Sequence, residues 1–137
     1  MKTRYSQRGL SSLGWLVVIL VAGFFLTCAL KLGPVYGDNF LVRDALKSLT
    51  SLPKGNQSFS ELTDSDIRNQ LNNYFTINGI RDVPRNAVSI ERKSDSVLVN
   101  INYERRVPLF YNIDVVMTFK NQFDSRRPSE CCKPPSD

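Results

Sequence analysis

The chain has 137 residues, 42% of them apolar and 23% charged, with a net charge of +5 and a pI near 9.3. Setting aside an apolar N-terminal stretch and a polar tail leaves about 90 residues, room for one small domain and none for a second. Lys2, Arg4 and Arg8 carry three of the excess positives; from Lys31 onward 15 Lys and Arg face 13 Asp and Glu with signs interspersed, a solvated surface and not the basic stripe of a nucleic-acid binder.

From Gly9 to Leu30 the chain runs 22 residues without a charge. At about 1.5 Å per residue that is roughly 33 Å of helix, the thickness of a bilayer's hydrocarbon core. Leu13 to Leu26 is apolar on every side, where a buried helix of a soluble domain would show a polar stripe. The expectation is a transmembrane helix over residues 9–32. Lys2, Arg4 and Arg8 crowd its N-terminal side, so the positive-inside rule puts residues 1–8 in the cytoplasm. In a Gram-negative cell the protein is then expected in the inner membrane with its C-terminal domain in the periplasm. A cleavable secretory signal competes with this reading, but the run exceeds the usual h-region of about 7–15 residues, and Thr27-Cys28-Ala29 is a poor cleavage exit. Cys28 is preceded by Phe25-Leu26-Thr27, a poor match to a lipoprotein acceptor, and reads as a small apolar packing residue. Gly9, Ser12, Gly14, Ala22, Gly23 and Ala29 are small enough to let another helix approach, and are the expected membrane-helix contacts.

Residues Gln7-Arg8-Gly9 through Ile19 resemble the start of a type IV prepilin, in which a peptidase cuts after the glycine. That family carries a glutamate at the fifth mature position; here the position is Gly14. Taken with Gly23-Phe24-Phe25, Leu30-Lys31-Leu32-Gly33-Pro34-Val35-Tyr36, Phe40 and Ala45-Leu46, the arrangement is similar to a family of proteobacterial single-pass envelope proteins. That family is known as a domain of unknown function with a pilin-like N-terminus. The resemblance implies a gene beside that of leader peptidase. It also implies an envelope partner: leader peptidase itself, or a secretion or pilus component.

Gly33-Pro34 is expected to end the span, because proline lacks an amide proton and restricts its predecessor. A separate helix then runs from Asp38 to Leu49, with Leu41, Val42, Ala45, Leu46 and Leu49 on one face. Ser51 to Ser58 is a loop by composition. Thr63-Asp64-Ser65-Asp66 caps a second helix, in which Ile67, Leu71, Tyr74 and Phe75 share a face, and Asn78-Gly79 ends it.

Thereafter the period is two. Val88 and Ile90 alternate before Ser94-Asp95, then Val97, Val99, Ile101 and Tyr103, and after Pro108 a third run places Tyr111, Ile113, Val115, Met117 and Phe119 on one face. The expected fold is α+β: two helices packed on a three-stranded antiparallel sheet over residues 33–123, with Val99, Ile101, Ile113, Val115 and Met117 beneath Leu46, Leu71 and Phe75. Residues 124–137 read as a disordered tail.

The sequence contains no histidine, which removes the commonest general base and zinc ligand. No glycine-rich phosphate loop appears, Asp64 and Asp66 are explained by capping, and neither a cofactor nor a metal is expected. The pairs Arg92-Lys93, Arg105-Arg106 and Arg126-Arg127 read as solvated strand ends or tail, with no nucleic-acid partner implied. Cys131-Cys132 is the chemically odd feature: in an oxidising compartment the two can close a disulfide with each other or with another chain, or, in a free tail, do nothing. Two functions fit: a non-catalytic, membrane-anchored accessory protein that binds another envelope protein, with self-association through the span allowed, or a minor pilin-like subunit processed after Gly9.

Overall fold

The computed structural model describes residues 11–132. Gly9, its cleavage reading, the basic cluster Lys2, Arg4 and Arg8, and residues 133–137 lie outside them.

The first helix, α1, runs unbroken from Ser12 to Ser48. Ser11 caps it, its hydroxyl accepting from the Gly14 amide at 3.3 Å. Thirty-seven residues make about 55 Å of helix. This corrects the expectation of a break at Gly33-Pro34, because Pro34 lies inside the helix and the segment Asp38–Leu49 is its continuation. An interior proline forfeits one hydrogen bond and costs about 3 kcal/mol or more. Burial offsets that loss: Val35, Val42, Ala45 and Leu46 all enter the core, and Leu32 packs against it from the other side of the proline.

The second helix, α2, spans Asp64–Ile77 and starts as expected in a capping box. The Thr63 amide donates to the Asp66 carboxylate at 3.1 Å, and the Asp66 amide donates to the Thr63 hydroxyl at 3.3 Å. Ile67, Leu71 and Phe75, four residues apart in turn, are its buried face. Gly79 ends it with φ +70, the left-handed conformation glycine adopts without strain. The Ile80 amide then reaches back to the Phe75 carbonyl at 2.8 Å, and the Ile80 side chain is buried.

Three strands follow in a meander: β1 (Val88–Lys93), β2 (Ser96–Phe110) and β3 (Ile113–Asp124), ordered β1-β2-β3 and antiparallel throughout. Lys93 pairs with Ser96 across the expected Ser94-Asp95 turn. The lower half of α1 and all of α2 cover one face of this sheet. The core between the layers is built on Leu46, Leu49, Ile67, Leu71, Val99, Ile101 and Phe123.

The second turn differs from expectation. β2 passes through Pro108, with a register irregularity between Pro108 and Phe110, and the chain reverses at Tyr111-Asn112. The turn end of the β2–β3 hairpin therefore reaches beyond the cover of the core, with Tyr111 and Ile113 exposed. Val99, Ile101 and Met117 are buried as expected and Val115 half-buried, but Ile113, which has the same parity, is 60% exposed. Tyr111, expected on the buried face, stands fully exposed in the turn.

The chain after Asp124 also differs from a free tail as far as it is described. A short turn at Pro128–Glu130 leads Cys132 into the core, 1% exposed, with its sulfur 3.4 Å from the Arg43 carbonyl on α1.

Candidate functional site

Three features of the surface follow from this architecture: the free sides of the apolar half of α1, a groove along β3, and the joint between α1 and the hairpin tip. Leu13–Leu30 carries the longest exposed apolar surface among the described residues, with Leu13, Ile19, Leu20, Phe25, Leu26 and Leu30 each at least 60% exposed. The helix is long and apolar enough to cross a membrane, and none of its most apolar 18-residue window is buried. Its length and position suit a membrane anchor or a signal sequence alike.

At about 100° per residue, Ser12 and Gly23 share one side of α1, while Ala22 and Ala29 share another that Gly14 flanks. The small residues thus form two faces and not one stripe. The hairpin occupies a third side, marked by Phe24, Lys31, Val35 and Asn39, so Ala22, Gly23 and Ala29 remain exposed. A Cβ built at Gly23 meets nothing within 4 Å.

Along the hairpin, α1 and the sheet are tied by polar contacts set in apolar packing. Asn39 is the junction: its side-chain oxygen accepts from the Asn121 amide at 2.8 Å and from the Tyr103 hydroxyl at 3.4 Å. Asn121 is 3% exposed, a buried polar side chain satisfied by this bond. Burial pushes the Tyr103 phenol up to about 12, with the Asp38 carboxylate adding to the rise and Arg105 opposing it. Tyr36 meets Phe119 edge-on at 5.8 Å, and Tyr103 lies 5.3 Å from the same ring. Between α1 and β3, which is an edge strand, lies an open groove of about 590 Å³ lined by Tyr36, Asn39, Arg43 and Val116 to Asn121.

Nearer the apolar half of α1, the Lys31 ammonium donates to the carbonyls of Pro108 and Leu109 at 2.9 and 2.8 Å. One step further, Phe110 stacks on Phe24 with centroids 5.5 Å apart and planes 14° apart. Sequence reasoning passed over this joint. Its signals were present: Lys31 is the first charge after the apolar run, and Val107 to Ile113 is a second charge-free stretch.

The basic pairs are largely taken up internally. Arg92 clamps β1 to the start of α2, donating to the Asp64 carboxylate at 2.8 Å and to the Leu62 carbonyl at 2.6 Å. Arg105 pairs with Asp82, Arg126 with Asp95 at 3.5 Å, and Arg127 with Glu130 at 3.1 Å. Asp66, held by the Thr63 side-chain and backbone donors, has its carboxyl lowered from the ordinary range. Cys131 and Cys132 are joined sulfur to sulfur beside α1, and Cys28 is a free thiol. Among the described residues no group of three or more histidine, cysteine or carboxylate side chains gathers to hold a metal.

Comparison with curated proteins and with solved structures found no match. A family model does match, over residues 31–119, beginning at the lysine that holds the hairpin tip and ending on the strand that lines the groove. It covers more than half of the chain, which therefore belongs to the family described as Domain of unknown function (DUF4845).

Proposed function

We propose that this protein is a non-catalytic accessory protein of the bacterial inner membrane, anchored by α1 with its N-terminus in the cytoplasm and its domain in the periplasm, where it binds another envelope protein. The observation that carries the reading is the continuity of α1. Its first half exposes apolar surface on all sides but the one the hairpin tip touches at Phe24, its second half is the core helix of the domain, and no linker intervenes. A domain fixed rigidly to its span presents its surfaces at a set height and rotation above the bilayer. That suits a protein that positions a neighbour. The sequence offers no histidine, and the groove is lined by two amides, two aromatics, two cations and Val116, Met117 and Thr118, suited to hydrogen bonding and packing.

Two surfaces are available to such a partner: the side of the span that carries Ala22 and Ala29, and the groove beside β3, where a free strand edge lies next to Asn39 and Lys120. The test is photo-crosslinking in intact cells with a reactive amino acid at Ala22 or Thr118, and at exposed Ser89 on β1 as the comparison. The expected result is a discrete adduct with a second envelope protein from Ala22 or Thr118 and none from Ser89. Adducts equal at all three positions, or absent from both test positions, would refute the reading.

A further inference from the structure

The hairpin tip is an apolar surface out of place for a water-soluble domain. Leu109, Phe110, Tyr111, Asn112 and Ile113 contain no charge, Tyr111 is fully exposed, Ile113 60% exposed, and Phe110 38% exposed even with one ring face on Phe24. What lies around it is set by where it sits along α1. From Asn39, beside Tyr103, back to Phe24, beside Phe110, the helix rises about 22 Å. From Tyr103 to Phe110 the strand advances about 23 Å. The two lengths agree, so the hairpin runs alongside α1 toward the span without diverging, and its contacts with the helix step down in order at Asn39, Tyr36, Lys31 and Phe24.

The charges stop at one level on both elements. On α1 the charge nearest the apolar run is Lys31, and its ammonium sits on the Pro108 carbonyl. On the hairpin Pro108 pairs with Asp114, the charge nearest the turn. Beyond that shared level α1 is charge-free to its start at Ser12 and the hairpin is charge-free around its tip. Phe24 lies about 10 Å past Lys31 toward the middle of the apolar run, and Phe110 is stacked on it.

We propose that Leu109–Ile113 is a second membrane-inserting element, a loop that enters the lipid of the leaflet facing the domain and lies beside the transmembrane helix. The inference rests on the anchor reading above and deepens it: the domain touches lipid at two places and is held against tilting about the helix. Lipid is the occupant, because the tip continues the exposed apolar surface of the span at the same depth, and the flanking charges of both elements mark one boundary.

The polar backbone of the tip is provided for. The register irregularity falls between Pro108 and Phe110, and Lys31 donates to the Pro108 and Leu109 carbonyls there, a partner that matters because an unpaired carbonyl in hydrocarbon is strongly disfavoured. Pro108 itself brings no amide proton to satisfy. Tyr111 has φ +31, a left-handed conformation that a tyrosine adopts under strain and a glycine would take freely, yet its ring makes no cover for the domain. Tyrosine is the residue type enriched where hydrocarbon meets headgroups.

The experiment uses the full chain reconstituted in phosphatidylcholine vesicles that carry nitroxide-labelled acyl chains. The single tryptophan, Trp15, reports on the span in the unaltered protein. In a Trp15→Phe background, Tyr111→Trp and, separately, Ile113→Trp report on the tip, with the unfolding midpoint confirming that each variant is folded. The expected result is that both tip tryptophans lose most of their emission to nitroxides in the upper part of the acyl chain and little to iodide in the buffer. If Trp15 is quenched by lipid while both tip reporters are open to iodide, the tip stands in water and the inference is overturned with the anchor intact. Shielding of the tip from both quenchers means that protein, such as a second copy, covers it, and overturns the inference equally. Failure of lipid nitroxides to quench Trp15 overturns the anchor reading and the tip insertion together.

Discussion

Replacing Asn39 with alanine tests whether one polar side chain holds α1 to the sheet. The structure supplies the terms: Asn39 accepts from the Asn121 amide at 2.8 Å and from the Tyr103 hydroxyl at 3.4 Å, and Asn121 is 3% exposed. Losing the acceptor strands a buried amide donor, which costs about 1–3 kcal/mol. The Tyr103 bond is long and adds little, and Asn39 is itself half-buried, so water reaches part of the gap. The net expectation is a loss of about 2 kcal/mol. In urea, with a slope of about 1–2 kcal/mol per molar for a domain this small, the midpoint should fall by about 1–2 M.

The assay is urea unfolding of the full chain in detergent micelles, which cover the exposed apolar half of α1, followed by the near-ultraviolet signal of the tyrosines. The double change Asn39→Leu with Asn121→Leu removes the buried Asn121 donor along with its acceptor and should recover much of the loss, leaving only the long Tyr103 bond unmade. A single Asn39→Ala change that moves the midpoint by less than the equivalent of about 0.5 kcal/mol, the range of an ordinary surface substitution, would refute the reasoning.

Leu46→Ala empties a fully buried position under the sheet and should cost about 2–5 kcal/mol, while Ile113→Ala, beyond the helical cover, should leave the same unfolding midpoint within about 0.5 kcal/mol. Equal effects would mean that the hairpin end is part of the core. Alkaline pH should weaken the domain through Tyr103: its hydroxyl holds its proton in the folded state to about 12, whereas the unfolded chain releases it near 10, so stability falls as pH rises through that window. A Tyr103→Phe protein should show a shallower decline from pH 10 to 12, and unchanged slopes would exclude the phenol as the cause.

Much of this molecule was legible from nearest neighbours along the chain. The charge-free run from Gly9 to Leu30 announces an apolar helix because hydropathy is a sum over adjacent residues. Thr63 and Asp66 announce the start of α2, and Gly79 its end, because caps satisfy backbone groups within three or four residues. The three strands declare themselves by their period of two, which the pleat imposes whatever the partner.

What only the tertiary structure decided depends on residues far apart in sequence. A local reading ends a helix at Pro34; burial of Val35, Val42, Ala45 and Leu46 against strands some 50 or more residues later carries α1 through it. Strand parity assigns Ile113 to the same face as Met117, but whether a face is buried depends on how far the covering helix reaches, and α2 and the lower part of α1 stop short of the turn. Cys132 reads as tail until the chain folds back to place it beside Arg43, 89 residues away. Lys31 and the Pro108 carbonyl are 77 residues apart, and Asn39 and Asn121 are 82 apart. Composition sets each of those side chains in polar or apolar company, but only packing of the sheet against α1 brings the donor to its acceptor, because a hydrogen bond is set by distance in space and the sequence specifies only distance along the chain.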